Sequence, residues 1–320
     1  MNEKKIDTIQ EAAIIGNSPV TKNLKRAVKR LASNDKNAFI FGEKGTGKEH
    51  IAQQIYLKSS QQKRNFVTIN CAEIGKTITY KELFGEGSEG NQAVRRNVGL
   101  LEKANHGVLF LSNIGDLSPD FQDELLRLLR DKKFRLVNET ENIDLNLRIF
   151  SSSDRDLKQE IESGRFRKDL FYLLNTYTLY VPPLRERKQD IPELFAYFMK
   201  KFCKQEGREE PAVPAEIFES ILEYEWKGNV GELESTVENL LMMSPSDELS
   251  AEYLPFRIKK HPLDFLEPRN LKGTISEIET YLIRKALKKF EGNQVKAAKL
   301  LGVPEATLRF KMKKHSISSK

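Results

Sequence analysis

Cysteine, histidine and tryptophan are scarce in this sequence, with two, four and one residues among 320. Cys71 and Cys203 fall in different predicted domains, so we expect no structural disulfide and a reducing cytoplasm as the location. The four histidines show no metal-ligand spacing, and we predict no metal site made of side chains alone. No apolar run reaches the roughly 20 residues of a membrane span and no secretion signal opens the chain, so we expect no membrane partner.

Basic residues are concentrated at the C-terminal end of the chain. Residues 272–320 contain twelve Lys or Arg and four Glu, a balance of +8, whereas the whole chain has a net charge of +7. A basic tail is often no more than a solvated segment. Here the charges lie on helical patterns, which favours binding to nucleic acid.

Short apolar runs alternate with helical patterns over residues 14–181, and this alternation predicts an α/β fold with a parallel sheet. The expected strands are Ala38–Gly42, Phe66–Asn70, Val108–Ser112 and Arg148–Ser152. The clearest helices between them are Gly47–Lys58 and Pro119–Arg130.

Strand patterns stop after Pro182–Pro183. Residues 182–255 therefore predict a small helical domain, residues 256–273 a linker, and residues 274–320 a second all-α domain, while residues 1–13 are a polar lead-in. The expected helices are Ile191–Glu206, Pro214–Glu223, Asn229–Met243, and about Ile275–Glu291, Gln294–Leu301 and Glu305–Lys314.

A glycine-rich loop joins the first predicted strand to a helix. It reads Gly42-Glu43-Lys44-Gly45-Thr46-Gly47-Lys48-Glu49. Glycines let backbone N–H groups turn toward phosphates, the helix start adds its positive end, and Lys48 can reach the outer phosphates. The alternative is a glycine turn kept for packing. We predict that these eight residues bind a nucleotide.

Several longer motifs occur in order along the chain. They are Ile15-Gly16-Asn17-Ser18, Gly42–Glu49, Phe66–Ala72, Glu82-Leu83-Phe84-Gly85, Gly107–Leu111, Gly164–Leu170, Pro182–Arg187 and Trp226–Val230. With these motifs the chain, from about Ile14 to Ile317, resembles the AAA+ domain of sigma-54-dependent bacterial enhancer-binding proteins followed by a Fis-type helix-turn-helix.

The resemblance implies an AAA+ P-loop sheet at residues 14–181 with an α-helical lid at 182–255, followed by an all-α Fis-type helix-turn-helix domain. It also implies ATP or ADP as the bound cofactor and double-stranded DNA as a partner. A homo-oligomer, from a dimer to a hexamer, is expected, with RNA polymerase or an active AAA+ relative as a further partner. No receiver domain is expected ahead of the core.

The chain departs from the family's motifs where the chemistry takes place. In the family, the strand that corresponds to our third predicted strand ends in Asp-Glu. This acid pair helps to hold Mg²⁺ and polarises the attacking water. This chain has Ser112 and Asn113 there. Neither side chain is charged or accepts a proton usefully, so Mg²⁺ is expected to bind weakly or not at all.

Three further departures fall on groups that contact the γ-phosphate in the family. Asp154 aligns with the sensor asparagine, and Gly231 with the sensor arginine of the lid. Of two arginine fingers, Arg167 is retained and Leu173 occupies the second position. We therefore expect ATP hydrolysis to be lost, and we assign a catalytic role to none of these residues.

A loop that contacts the sigma factor in the family also differs. The family reads Gly-Ala-Phe-Thr-Gly-Ala after its Leu-Phe-Gly motif, whereas the segment Glu86–Arg95 of this chain is one residue shorter and has no Phe-Thr pair. We therefore expect sigma-54 remodelling to be lost. The alternative is that other loop chemistry does the same work.

The last predicted helix is the candidate DNA-binding helix. Leu308 and Met312 have core spacing, and the second helix of such a motif normally enters the major groove. Glu305 departs from relatives and would either accept a cytosine amino proton or repel phosphate. The side chains left for bases and phosphates are Thr307, Arg309, Lys311, Lys313 and Lys314.

Together these features predict a cytoplasmic DNA-binding transcription regulator, not an active enzyme, whose AAA+ core binds ATP without hydrolysing it. The first alternative is an active ATPase that drives sigma-54 polymerase, and the second is an inactive subunit of a mixed ring. A third is a structural partner whose basic tail binds acidic protein.

Overall fold

The computed structural model describes residues 13–87, 97–139, 141–244, 249–258, 271–290, 292–315 and 317. The chain divides into two compact units, Met1–Pro255 and Phe256–Lys320.

The strands all belong to the first unit, as far as the described residues go. In chain order they are β1 (Ala38–Phe41), β2 (Phe66–Asn70), β3 (Gly85–Glu86), β4 (Asn97–Val98), β5 (Val108–Ser112), β6 (Lys133–Phe134), β7 (Ile143–Asp144), β8 (Arg148–Ser153) and β9 (Tyr177–Tyr180). Five of them form a parallel sheet in the order β2-β5-β8-β1-β9, and β3 with β4 and β6 with β7 form short antiparallel pairs.

Helices cover the sheet and build the lid. They are α1 (Pro19–Ala32), α2 (Lys48–Leu57), α3 (Tyr80–Phe84), α4 (Leu100–Ala104), α5 (Pro119–Asp131), α6 (Leu157–Glu162), α7 (Lys168–Leu174), α8 (Ile191–Glu206), α9 (Ala215–Glu223) and α10 (Asn229–Met243). Short 3-10 helices lie at Cys71–Glu73, Ile114–Asp116, Leu184–Asp190 and Ala251–Tyr253.

The predicted parallel sheet is confirmed, with one strand more than the sequence patterns indicated. The four expected strands are present; β1 ends at Phe41 instead of Gly42, and β8 continues to Ser153. The additional strand is β9 at the sheet edge. Only Leu179 of its four residues is buried, so β9 has no continuous apolar run.

Both faces of the sheet are buried because side chains alternate along each strand. Phe39 and Leu109 belong to one apolar cluster, and Ile40 and Phe110 belong to the cluster on the other face. This two-sided burial explains why the central strands read as unbroken apolar runs. The parallel pairing of the strands brings the carboxyl ends of β1, β5 and β8 to one edge, where parallel α/β sheets bind ligands.

The lid consists of α8, α9 and α10. Two of these helices have the predicted bounds, and α9 begins at Ala215 because Pro214 caps it. Trp226 is fully buried between α9 and α10, and its Nε1 donates to the Ile221 carbonyl at 2.9 Å. The indole therefore anchors the turn from which α10 starts.

The described residues of the second unit form three helices, α11 (Leu271–Lys289), α12 (Gln294–Leu300) and α13 (Glu305–Lys314). Leu287, Ala298, Leu308 and Met312 belong to its small apolar core. Residues 259–270 of the predicted linker lie outside the described residues. We expected this first helix to start at about Ile275, but α11 begins earlier in the chain, at Leu271. It includes Gly273, although a glycine costs about 1 kcal/mol in a helix.

Candidate functional site

The loop between β1 and α2 has the backbone shape of a phosphate cradle. Gly45 and Gly47 have φ angles of 77° and 94°, which glycine adopts without strain. α2 begins at Lys48, so the backbone N–H groups and the positive end of this helix lie at the loop. A Cβ on Gly47 would meet no described atom within 4 Å, whereas one on Gly45 would overlap the Gly228 carbonyl oxygen. The loop is therefore open on one side and closed by the lid on the other.

Lys48 points into this loop and is held by its carbonyls. Its Nζ donates to the Gly42 oxygen at 2.7 Å and to the Glu43 oxygen at 2.9 Å. Burial lowers the pKa of the Lys48 ammonium, and the charges of Asp154 and Glu43 oppose that shift. The ammonium already occupies the cradle and can exchange carbonyl oxygens for phosphate oxygens.

Glu43 faces the lid. Arg185 forms two bonds to its carboxylate, at 2.6 and 2.7 Å, and these bonds lower the pKa of Glu43. Asn229 Nδ2 donates to Glu43 Oε2 at 3.3 Å and to the Lys44 carbonyl at 2.9 Å, while Asn229 Oδ1 accepts from Leu184 N at 2.8 Å. A single buried amide thus joins the loop to the lid.

Two further contacts complete this connection. Arg187 is buried and its Nη2 donates to the Thr46 carbonyl at 3.0 Å, and Gly231 N donates to the Gly45 carbonyl at 3.1 Å. A Cβ on Gly231 would make only ordinary contact, 3.7 Å from Gly45 Cα. The expected sensor-arginine position therefore lies beside the loop and has room for a larger side chain.

The polar ends of β5 and β2 are joined by side-chain amides. Asn113 has a left-handed backbone, with φ 54° and ψ 46°, and its Nδ2 donates to Asn70 Oδ1 at 3.0 Å. Asn70 Nδ2 in turn donates to Glu73 Oε1 at 2.9 Å. Ser112 pairs with Asn70 in the parallel register. The position at which the resemblance aligns the family's acid pair therefore holds an amide network in this chain.

The two nearest aspartates are placed differently. Asp116 forms an ion pair with Arg155 on the loop after β8. Asp154 is exposed at the end of β8, close enough for its charge to act on Lys48. Asp154 therefore adds negative charge at the position that the resemblance aligns with the family's sensor asparagine.

The retained finger candidate, Arg167, lies on the surface just before α7. It bonds to Asp123 and, at 3.0 and 3.1 Å, to Asp169. Leu173, at the second finger position, is partly exposed on the same helix. Arg167 is therefore held by two carboxylates of its own chain and remains partly exposed.

In the second unit, α13 has the predicted core positions. Leu308 and Met312 are buried, Arg309, Lys313 and Lys314 are exposed, and Thr307 and Lys311 are half-buried.

Two of the predicted DNA contacts have intramolecular partners. Arg309 Nη2 donates to Glu305 Oε1 at 2.5 Å, and Arg309 Nε to Gln294 Oε1 at 3.1 Å. Lys311 Nζ donates to Glu279 Oε1 at 2.5 Å, and His315 Nε2 lies 3.0 Å from Glu279 Oε2. Glu279 thereby ties α11 to α13.

Sequence reasoning did not select several residues that the structure brings to these sites. For three of them a signal existed, because Arg185, Arg187 and Asn229 lie within the motifs that carried the family resemblance. No sequence signal indicated Gln294 or Glu279, because their contacts depend on how the three helices α11, α12 and α13 pack together.

Models of three protein families match the chain in order. The Sigma-54 interaction domain matches residues 14–180, the AAA+ ATPase lid domain residues 185–268, and the bacterial regulatory protein, Fis family, residues 274–315. The chain belongs to the sigma-54-dependent transcriptional activator family. The lid match of this family extends into residues for which we predicted a linker.

Relatives in the sigma-54 activator family match most of this chain. The transcriptional regulatory protein ZraR of Escherichia coli (strain K12) is 32% identical over 306 residues, which are 95% of this chain and 69% of ZraR. The signal-transduction and transcriptional-control protein of Clostridium beijerinckii is 36% identical over 306 residues, 95% of this chain and 48% of that protein. The chain thus spans about half to two thirds of the length of these relatives.

Solved structures of a sigma-54 family relative have the same fold. NtrX from Brucella abortus in complex with ADP has 30% identity and a TM-score of 0.70, over 97% of this chain and 69% of that one. NtrX in complex with ATP has 29% identity and a TM-score of 0.71, over 96% and 70%.

The sequence led us to expect no sigma-54 contact loop of the family type, no metal site made of side chains and no membrane span. The predicted sigma-contact segment Glu86–Arg95 lies outside the described residues from residue 88 onward. In the described part of the chain, no three His, Cys, Asp or Glu side chains are grouped to hold a metal ion. No described helix has the length and apolar character that crossing a membrane requires.

Proposed function

We propose that this chain is a DNA-binding transcription regulator whose AAA+ core binds ATP or ADP and does not hydrolyse ATP. One observation carries the proposal: at the end of β5, Ser112 and Asn113 occupy the positions at which the family has its acid pair. There the Asn113 amide is bonded to Asn70.

Nucleotide binding is supported by the geometry of the loop. Gly45 and Gly47 have positive φ angles, Lys48 Nζ lies among loop carbonyls, and α2 starts at the loop. These groups fit a triphosphate or diphosphate, because N–H donors, an ammonium and a helix start converge on one open space. NtrX, a relative with the same fold, has been solved with ADP and with ATP.

The proposed loss of ATP hydrolysis follows from a missing proton acceptor and from missing positive charges at the γ-phosphate. Removing a general base typically costs about 10²–10⁴ in rate. An arginine that stabilises the transferring phosphoryl group contributes about 10³–10⁵ in related NTPases, and Leu173 and Gly231 replace two such arginines. With Asp154 adding a negative charge, these losses act on one mechanism, so turnover should be close to zero.

DNA binding and assembly are the remaining parts of the proposal. The basic helices α11–α13 form a Fis-type module, and an oligomeric core would present several such modules to repeated or palindromic sites. Linked modules bind with higher overall affinity without any new contact. The core then acts as an assembly platform whose state depends on nucleotide occupancy.

The decisive experiment measures nucleotide binding and phosphate release by the purified full chain. Wild type should bind ATP and release almost no phosphate, and Lys48→Ala should lose most of the affinity because the cradle loses its ammonium. The double variant Ser112→Asp/Asn113→Glu should remain inactive, since Leu173 and Gly231 are unchanged. Brisk Mg²⁺-dependent phosphate release by wild type, abolished in Lys48→Ala, would establish the active ATPase instead.

A mixed ring is the second candidate function, favoured by the retained finger Arg167 on the surface. In that case the chain alone binds ATP without turnover and raises the turnover of an active relative, and Arg167→Ala removes this effect. If the relative's rate is the same with and without the chain, the mixed ring is excluded.

A further inference from the structure

The outward face of α13 carries an unusual combination of side chains. Ala306, Arg309, Phe310 and Lys313 have the spacing i, i+3, i+4, i+7, which places them on one helix face, and all four are exposed. The buried Leu308 lies on the opposite face. This surface, the α13 outer face, is apolar in its middle and cationic around it.

Phe310 is the apolar centre of this face and is 68% exposed. Its neighbours Arg309, Lys313 and Lys314 are also exposed. Arg309 pairs with Glu305, but a purely apolar occupant would take the charges of Lys313 and Lys314 out of water. A polyanion with apolar groups between its charges fits the α13 outer face better. Duplex DNA has this chemistry, because thymine presents a 5-methyl group in the major groove between two phosphate backbones.

Arg309 is held in a defined orientation beside Phe310. Its Nε donates to Gln294 on α12 and its Nη2 to Glu305 on α13. Guanidinium has five N–H donors, and these two bonds fix its plane while other donors remain at its outer edge. Such an edge matches guanine O6 and N7, the usual acceptors for arginine in the major groove.

Lys311 lies on a different flank of the helix. Its ammonium bonds to Glu279 of α11 and its side chain is 31% exposed, so it contributes to holding the module together. Lys311 therefore does not belong to the α13 outer face, which extends from Ala306 to Lys313.

We propose that Phe310 is a specificity-determining residue that contacts the 5-methyl group of a thymine, next to a guanine that Arg309 contacts. The proposal rests on the DNA binding proposed above. A phenyl ring does not hydrogen-bond to phosphate, and the thymine methyl is the apolar group that a base edge offers it in the major groove. Recognition helices contact bases chiefly from their N-terminal part, and Phe310 directly follows Arg309, ahead of the lysines that end α13.

The test begins with the sequences that the full chain selects from random duplex DNA. Each thymine of the selected half-site is then replaced by deoxyuridine, which removes only the methyl group. At one position wild type should bind about fourfold less tightly, the loss expected for one methyl group taken from an apolar contact. The variant Phe310→Ala should bind the thymine and deoxyuridine duplexes equally.

Lys314→Ala is the matched control on the same helix. It should weaken binding to all duplexes alike and keep the thymine preference, because a phosphate contact carries no sequence information. Phe310 is largely exposed, so its removal should leave the thermal unfolding of the chain unchanged.

The outcomes separate the two proposals. If wild type selects no sequence and binds no duplex, the proposed DNA-binding function fails. If wild type binds a selected site, but no thymine methyl matters or Phe310→Ala keeps the same preference, the role of Phe310 is overturned. Loss of oligomerisation in Phe310→Ala with unchanged discrimination would assign the α13 outer face to a protein contact and equally overturn it.

Discussion

Asn113 Nδ2 donates to Asn70 Oδ1, and Asn70 Nδ2 donates to Glu73 Oε1. Each amide in this series uses its donor on the next acceptor, which fixes the orientation of both side chains. An amide oxygen accepts hydrogen bonds, but it does not take up a proton at neutral pH as a carboxylate does. The end of β5 can therefore still hold a water molecule by hydrogen bonds, and our proposal that ATP is not hydrolysed rests on Ser112 and Asn113 offering no carboxylate to deprotonate it.

At the residue scale, Glu305 should act as a positioning residue for Arg309. Glu305→Gln keeps the length of the side chain and weakens the charge-assisted bond to the guanidinium. We expect the variant to lose about tenfold of its preference for guanine, within the roughly 1–3 kcal/mol of one bidentate contact. The measurement compares guanine with 7-deazaguanine in the selected site, for wild type and variant.

Lys313→Ala serves as the control for Glu305→Gln, because it removes an exposed charge without touching Arg309. It should lower affinity for both duplexes and leave their ratio unchanged. An unchanged guanine to 7-deazaguanine ratio in Glu305→Gln would show that Arg309 needs no such support.

At the residue scale, the sequence placed the loop between β1 and α2 correctly, because its motif is local, while nucleotide binding by the loop stays a prediction. The loop from Gly42 to Glu49 was identified because glycines, a lysine and a following helix stand within eight positions. The contact between Glu43 and Asn229 could not be derived in this way, because 186 residues separate them. Its existence depends on how the lid packs against the loop, and single-sequence patterns do not contain that information.

At the element scale, the lid is joined to the P-loop by Asn229 and Gly231 at the start of α10 and by residues of the 184–190 segment. The buried Asn229 satisfies Leu184 N and the Lys44 carbonyl together. Arg185, Arg187 and Gly231 add bonds around it. A displacement of the loop by nucleotide phosphates would therefore reach α10 and the 184–190 segment directly.

Asn229→Ala should destabilise the first unit by about 1–3 kcal/mol for each buried backbone group left without a partner, and alanine adds strain because the backbone of Asn229 is left-handed, with φ 58°. The loss is measured by denaturant unfolding followed through the fluorescence of Trp226, which lies three residues away in the same turn. Asn23→Ala is the control: Asn23 is an exposed residue of α1, and its replacement should change stability by no more than about 0.5 kcal/mol. Equal stability of the two variants would mean that the lid contact contributes nothing.

Element-level prediction was accurate for helices bounded by glycine or proline and weaker at edges. α8, α10 and α13 have the predicted bounds: α8 ends before Gly207, α10 begins after Gly228 and α13 begins after Pro304. β9 escaped detection because it lies at the sheet edge with one buried residue. The start of α11 was misplaced because Gly273 resembles a helix boundary in sequence, although the backbone continues through it.

At the scale of the first unit, the sheet, the loop and the lid share one set of contacts, so nucleotide binding should stabilise all three together. A ligand that binds only the folded state adds RT ln(1 + [L]/Kd), about 2.7 kcal/mol at one hundred times Kd. For a unit of this size that corresponds to an increase in Tm on the order of 5–10 °C. Lys48→Ala should show almost none of this increase.

The time course of this stabilisation distinguishes an inert nucleotide from a substrate. With ATP and Mg²⁺ the Tm of wild type should stay constant over hours of preincubation, because no acid pair at Ser112 and Asn113 activates water and the bound triphosphate persists. An active ATPase would instead drift toward the Tm measured with ADP as its ATP is consumed. Thermal scans at intervals, with ADP and a non-hydrolysable ATP analogue as references, separate the two behaviours. A drift that Lys48→Ala abolishes would show that another group of this chain activates the water.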